Sequence, residues 1–298
     1  MGDTLGIVSP ASPIKPDLLA KGLDVLHGRG FKTKVFPHAL DRDAMLAGRD
    51  VDRADDIMAA FRDPDVDAVF CSRGGYGCAR LFPFLDIAEI AKSRKMLIGF
   101  SDITTLHLAL QSYGAVSIHA PMALTLAYDR EPWVVDSFFR ILQGDGTVPD
   151  GASVGEEVVP GVAEGVLVGG CLCLLCDSIG TPHALETKGR LLIIEDVDEN
   201  PHRVDAMFTH LLNAGLLQDA AGVVVGEMTR TDERRDETIG DRPWREIVSE
   251  RLQKAGVPSM INYPFGHMST MLTIPLGVRA RMDTGLGTLE LLESPCDG

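Results

Sequence analysis

The sequence predicts an α/β protein with two lobes: an N-terminal domain built on a parallel sheet, and a C-terminal mixed domain rich in strands. Three observations lead there. Short apolar runs alternate with amphipathic segments over the first 120 or so residues. Several of those runs stop abruptly at turns containing glycine, and a Gly-, Pro- and acid-rich stretch separates them from a second set of strands and helices. Such alternation implies βαβ units with helices on both sheet faces, a doubly wound domain of flavodoxin-like character.

In chain order, Thr4 to Val8 reads as a strand, Lys15 to Arg29 as a helix and Lys32 to Phe36 as a strand. Asp50 to Arg62 carries an amphipathic helical period, Ala68 to Cys71 is a short buried strand, and Ile87 to Ser93 is helical. Met96 to Phe100 is a strand, Ile103 to Leu110 a helix and Gly114 to His119 one more strand. The spacing places a first domain over 1–130 and a linker over 131–160. A second domain over 161–298 has strands at Gly165 to Val168, Arg190 to Glu195 and Gly222 to Gly226. Helices are expected at His202 to Ala214 and Trp244 to Lys254, and the Val278-x-Ala280-x-Met282 alternation with Leu286 to Leu292 forms a closing hairpin.

Composition narrows the function. The net charge of −15, from 28 basic and 43 acidic residues, argues against nucleic acid or an anionic membrane as partner. The N-terminus reads as a first strand, not a signal peptide, and no run approaches the roughly 18 apolar residues of a membrane span, so a soluble cytoplasmic protein is expected. Cys171-x-Cys173-x2-Cys176 invites a metal reading. No second cluster supplies the remaining ligands, and the apolar setting Val168 to Cys176 marks these as buried thiols. No metal and no cofactor are expected.

The chemistry-bearing segment is Gly99-Phe100-Ser101-Asp102, at the end of an apolar run and the start of a helix. A serine at such a corner has its hydroxyl lifted from the sheet beside backbone N–H groups, which suits a nucleophile; it is equally the place of a helix cap. A nucleophilic serine needs a base, and the base an orienting acid. Of eight histidines, His27 and His38 read as surface residues and His107 and His210 as helix residues. His267 lies in a loop beyond the strand-like Ser259 to Asn262, next to Gly266, where it can reach across a cleft. Glu195 is the first acid after the buried run Leu191 to Ile194, at the strand end where it can accept from a histidine; the acids after it face solvent or cap the helix begun by Pro201. Finally, Arg73-Gly74-Gly75-Tyr76-Gly77 follows a strand with two adjacent glycines. These allow close backbone approach to a ligand: an oxyanion hole, a plain tight turn or a phosphate cradle. Neither standard phosphate-loop glycine pattern is present.

Taken together, Arg73 to Gly77, Gly99 to Asp102, Gly180-Thr181-Pro182, Ile194-Glu195-Asp196, Gly266-His267 and Ile274-Pro275-Leu276-Gly277 resemble the LD-carboxypeptidase family, in family order over nearly the whole chain. These are serine peptidases that remove a terminal D-amino acid from an L-centre in murein peptides. The resemblance implies Ser101 as nucleophile, Glu195 as acid and His267 as base, with the Gly74 and Asp102 N–H groups as oxyanion hole. Arg73 and Gly75 are expected to contact substrate, Arg73 as a clamp on its free carboxylate or as a brace of the turn. A homodimer and a murein peptide substrate are implied, without metal. The chain departs from the family pattern at Cys171, where members show Asn after the Gly-Gly pair, and at Met268, where they show Gly after His. A sister branch cleaves peptidyl or aminoacyl nucleotides, giving immunity to a peptide-nucleotide antibiotic. Its base-stacking tryptophan falls at Ile179 here, which favours the murein branch. The alternative outside enzymology is a non-catalytic binding protein on the same fold.

Overall fold

A computed structural model describes residues 2–296. The first sheet contains β1 (Thr4–Val8), β2 (Lys32–Val35), β3 (Ala68–Cys71), β4 (Leu97–Gly99) and β5 (Ser117–His119), all parallel. Their spatial order, 2-1-3-4-5, is the flavodoxin-like winding expected from the alternation. Helix Pro16–Gly28 begins with proline at its first position, where the missing N–H costs no helical bond, and buries Leu19, Leu23 and Leu26 on one face of this sheet. Helix Asp50–Arg62, with acids in its first turn complementing the helix dipole, buries Ala54, Ile57 and Phe61 on the other face.

The second sheet contains β6 (Glu156–Val159), β7 (Val162–Cys171), β8 (Leu191–Val197), β9 (Gly222–Thr229), β10 (Ser259–Ile261), β12 (Arg279–Asp283) and β13 (Thr288–Leu291). Strands β7, β8, β9 and β10 are parallel; β6 and the β12–β13 hairpin close its two edges antiparallel. Helices Pro201–Asn213 and Trp244–Ala255 cover one face with Val204, Phe208, Leu211, Trp244 and Val248. The other face packs Leu167, Leu191, Ile193 and Val224 against Leu272, Ile274 and Leu276.

Two findings differ from the pattern reading. The segment expected as a linker over 131–160 carries helix Pro132–Leu142, whose Val134, Phe138, Phe139 and Ile141 are buried, and strand β6. Its Gly, Pro and Asp residues lie between these two elements and obscured the helix. In addition, β11 (Ile274–Leu276) leaves the second domain and pairs antiparallel with β5, as the edge strand of the first sheet. Among the described residues, no helix is long and apolar enough to cross a membrane.

The lobes meet along helix Thr104–Gln111 and the end of β7. The Cys171 N–H donates to Thr104 Oγ1 at 3.1 Å. Close approach there requires glycine: a Cβ on Gly170 (φ +142°) would lie 2.5 Å from Thr104 Oγ1, and within the second sheet one on Gly169 (φ +124°) would lie 2.0 Å from the Ile193 carbonyl oxygen.

Candidate active site

The carboxyl ends of β3, β4, β5 and β8 converge at this junction, where an open parallel sheet places its ligands. After β4 the chain turns at Ser101, whose φ of +66° lies in the left-handed region that a serine rarely occupies. Such a conformation costs about 1–2 kcal/mol and is the kind of strained strand-to-helix corner that can lift a serine hydroxyl clear of the sheet. The turn 101–103 leads directly into helix Thr104–Gln111. One turn along it, the buried His107 donates Nε2–H to the Gly99 carbonyl at 2.9 Å. Burial holds its pKa at about 3, so this ring stays neutral and fastens the strand end preceding Ser101.

The turn after β3 lies against the serine. A Cβ on Gly74 would sit 2.7 Å from Ser101 Cβ and 2.9 Å from Oγ, so only glycine fits. Gly75, at φ +121°, packs on Ser12, whose Oγ accepts from the Tyr76 N–H at 3.2 Å. Arg73 braces this loop by donating Nε–H to the Gly74 carbonyl and Nη1–H to the Pro13 carbonyl. The buried Arg53 adds a bond to the Gly77 carbonyl at 3.2 Å. The Asp102 carboxylate accepts from the Cys78 N–H at 2.8 Å, tying the elbow to the same loop.

Glu195 and His267 meet directly. Glu195 is fully buried near the end of β8, where the pairing with β9 shifts register, a bulge that re-aims side chains. Its Oε2 accepts from His267 Nδ1–H at 2.7 Å and from the His267 backbone N–H at 3.1 Å. Gly266 (φ +103°) lies on the carboxylate, where an added Cβ would come within 2.6 Å of Oε2. Burial opposes the charge on Glu195, but the His267 charge, with His119 and the hydrogen bonds, outweighs it and depresses its pKa to about 2. Burial likewise opposes protonation of His267. The Glu195 charge and hydrogen bond overcome it, and the His267 pKa is raised above its ordinary value. With Nδ1–H committed to Glu195, neutral His267 presents Nε2 as a proton acceptor. Its ring packs on Phe100, centroids 4.8 Å apart, so the residue just before Ser101 touches the imidazole; Ser101 itself is not hydrogen-bonded to His267.

Several residues here were not singled out by sequence. His119, at the end of β5, is fully buried with Nε2 3.6 Å from Glu195 Oε1 and its ring between Phe100 and Phe265. Its position at a strand's carboxyl end was the available signal. Asp196, expected in solvent with the other acids of its run, is buried. Successive strand residues point to opposite faces, so it turns away from His267 to accept from the Cys173 N–H at 2.9 Å. A cavity of about 380 Å³ beside His267 is lined by Phe100, Thr125, Arg130 and Arg230. A second, of about 310 Å³, lies on the Asp102 side and is lined by Tyr76, Phe82, Leu108, Leu174 and Pro182.

Residues 5–120 match the LD-carboxypeptidase N-terminal domain and residues 164–282 the LD-carboxypeptidase C-terminal domain. A Bacillus subtilis protein named "Probable murein peptide carboxypeptidase" is 36% identical over 95% of this chain and 89% of its own length. The murein tetrapeptide carboxypeptidase of Pseudomonas aeruginosa is 32% identical over 94% and 92%. The crystal structure of muramoyltetrapeptide carboxypeptidase from Oxalobacter formigenes superimposes with a TM-score of 0.85 at 29% identity, covering 97% of each chain. The microcin C7 self-immunity protein MccF, in complex with aspartyl sulfamoyl adenosine, shares the fold with a TM-score of 0.86 at 23% identity, covering 99% of this chain and 97% of its own.

Proposed function

The chain belongs to the LD-carboxypeptidase family, and from that premise we propose that it hydrolyses the amide joining an L-centre to terminal D-alanine in murein tetrapeptides. The observation that carries the reading is the buried Glu195–His267 pair, whose imidazole packs against the residue preceding a strained serine. Ser101 is the nucleophile. His267 Nε2 takes its proton as Oγ attacks the carbonyl carbon, and Glu195 stabilises the imidazolium that results. The developing oxyanion accepts from the Gly74 and Asp102 N–H groups. Protonated His267 then gives its proton to the amine of D-alanine as the C–N bond breaks. Water, deprotonated by the same ring, hydrolyses the acyl ester and restores Ser101.

The free carboxylate of the leaving residue needs a cation. Arg130 and Arg230 line the cavity beside His267, whereas Arg73, bonded to the Gly74 and Pro13 carbonyls, lines neither cavity of the site. Arg130 is held there by donating to the Thr125 and Met268 carbonyls at 3.2 and 3.4 Å. It is the clamp in this reading, and the second cavity takes the acyl side of the substrate.

Ile179 packs partly buried against the core of the second domain and offers no aromatic surface to a nucleobase, which favours a murein peptide over a peptidyl nucleotide. We place the reaction in the cytoplasm, for cell-wall recycling, with a homodimer as the working unit. The net charge of −15 is consistent with no nucleic-acid partner. Incubation with murein tetrapeptide should release D-alanine, and Ser101→Ala should abolish release while leaving the circular dichroism spectrum unchanged. Hydrolysis of an aminoacyl sulfamoyl adenosine with no action on the tetrapeptide would select the immunity branch. Inertness toward both substrates would indicate a binding protein.

A further inference from the structure

We propose that Cys171, Cys173 and Asp196 form a site for a thiophilic divalent cation of the Zn²⁺ or Cd²⁺ class, on the face of β8 that turns away from His267. The third ligand is not Cys176, the partner suggested by spacing in sequence; Cys176 Sγ lies apart from this group and donates to the Met207 carbonyl at 3.6 Å. It is the buried Asp196 carboxylate, brought in by the strand.

The geometry carries the inference. Cys171 Sγ and Cys173 Sγ are 3.5 Å apart, and Asp196 Oδ1 lies 3.4 Å from the first and 3.9 Å from the second. A tetrahedral Zn²⁺ with Zn–S near 2.3 Å and Zn–O near 2.0 Å has ligand–ligand edges of about 3.8 Å for S···S and about 3.5 Å for S···O. The three side chains thus already describe one face of such a tetrahedron, close to the required dimensions. Their supports are in place. Asp196 is oriented by the Val197 N–H at 2.7 Å and the Cys173 N–H at 2.9 Å, and the Cys171 backbone is anchored on Thr104. Cys171 is buried, but Cys173 is partly exposed, which gives an ion its entry and leaves the fourth position to water. Two soft thiolates with one carboxylate select Zn²⁺ or Cd²⁺ over Mg²⁺ or Ca²⁺. On binding, each coordinating thiol releases its proton to solvent.

The test uses the full chain, reduced and stripped with a chelator, then titrated with Cd²⁺ alone. One equivalent should bind and produce a thiolate-to-metal charge-transfer band in the ultraviolet. The band should persist in Cys176→Ala and disappear in Cys173→Ala and in the isosteric Cys173→Ser, with the metal-free variants melting cooperatively. Cd²⁺ should raise the melting temperature of the parent chain and not that of the Cys173 variants. Absence of a band at one equivalent, or a band of undiminished intensity in both Cys173 variants, would mean that the cluster is only a set of thiol hydrogen bonds to Asp196, and the proposal would be wrong.

Discussion

Replacing Glu195 with glutamine isolates what the buried carboxylate does. The change keeps shape but removes a charge that is fully buried and bonded twice to His267, through Nδ1 and the backbone N–H. Opposite charges about 4 Å apart interact by roughly 4 kcal/mol at an effective dielectric near 20. That interaction exists only while His267 is protonated, in the transition states, so its loss falls on kcat. At about 1.4 kcal/mol per tenfold, the variant should be slower by about a thousandfold. A glutamine that turns its NH₂ toward Nδ1 would also select the wrong tautomer, and the corresponding acid-to-amide change in the Ser-His-Asp template costs about 10⁴. The pH profile supplies the second reading. The base must be neutral, so activity climbs as pH rises through the His267 pKa, which Glu195 holds above the ordinary histidine value against the effect of burial. With the carboxylate gone, burial acts against protonation with less opposition, and the acid limb moves to lower pH. The assay is D-alanine release from murein tetrapeptide, with kcat measured across the acid range. A variant within tenfold of the parent, or an acid limb that stays in place, would refute the assignment of Glu195 as the orienting acid.

Three further outcomes are expected. Ser101→Gly and Ser101→Ala should both be inactive, but the glycine variant, free of the +66° strain, should be more stable by about 1 kcal/mol in urea unfolding. Gly74→Ala drives a methyl group to within 2.9 Å of the Ser101 hydroxyl, and a displacement of that size should lower kcat by about a hundredfold, measured by initial rates. Arg130→Met should raise KM for the tetrapeptide tenfold or more while changing kcat less, since an ionic hydrogen bond to a carboxylate contributes about 1.5–3 kcal/mol; an unchanged KM would return the clamp to another cation.

How much of this was legible in the residues depends on the range over which each signal acts. Helix 50–62 and strand 68–71 appear within the expected limits, because their apolar periods and flanking breakers are local. The elbow at Ser101 and the Glu195 strand end were readable for the same reason: an apolar run that stops at a polar residue marks a position whatever the tertiary fold. Helix Leu172–Ser178 was hidden, since a short Cys- and Leu-rich run does not distinguish a helix from a buried strand. The placements of His119 beside Glu195 and of Arg130 beside His267 bring together residues more than 70 positions apart, which no period encodes. Asp196 was misread for a subtler reason. In a run of acids the common expectation is solvent, but strand alternation sends neighbouring carboxylates to opposite faces, and here both faces are covered.

The strand at 274–276 has a consequence for how this protein is made. It completes the first sheet beside β5, although some 150 residues of chain separate the two partners. A ribosome releasing the polypeptide from its N-terminus therefore exposes an unfinished β edge until residues 274–276 have also emerged, and such edges invite pairing with other nascent chains. A gene truncated after the first lobe would inherit that open border permanently and should be prone to aggregation.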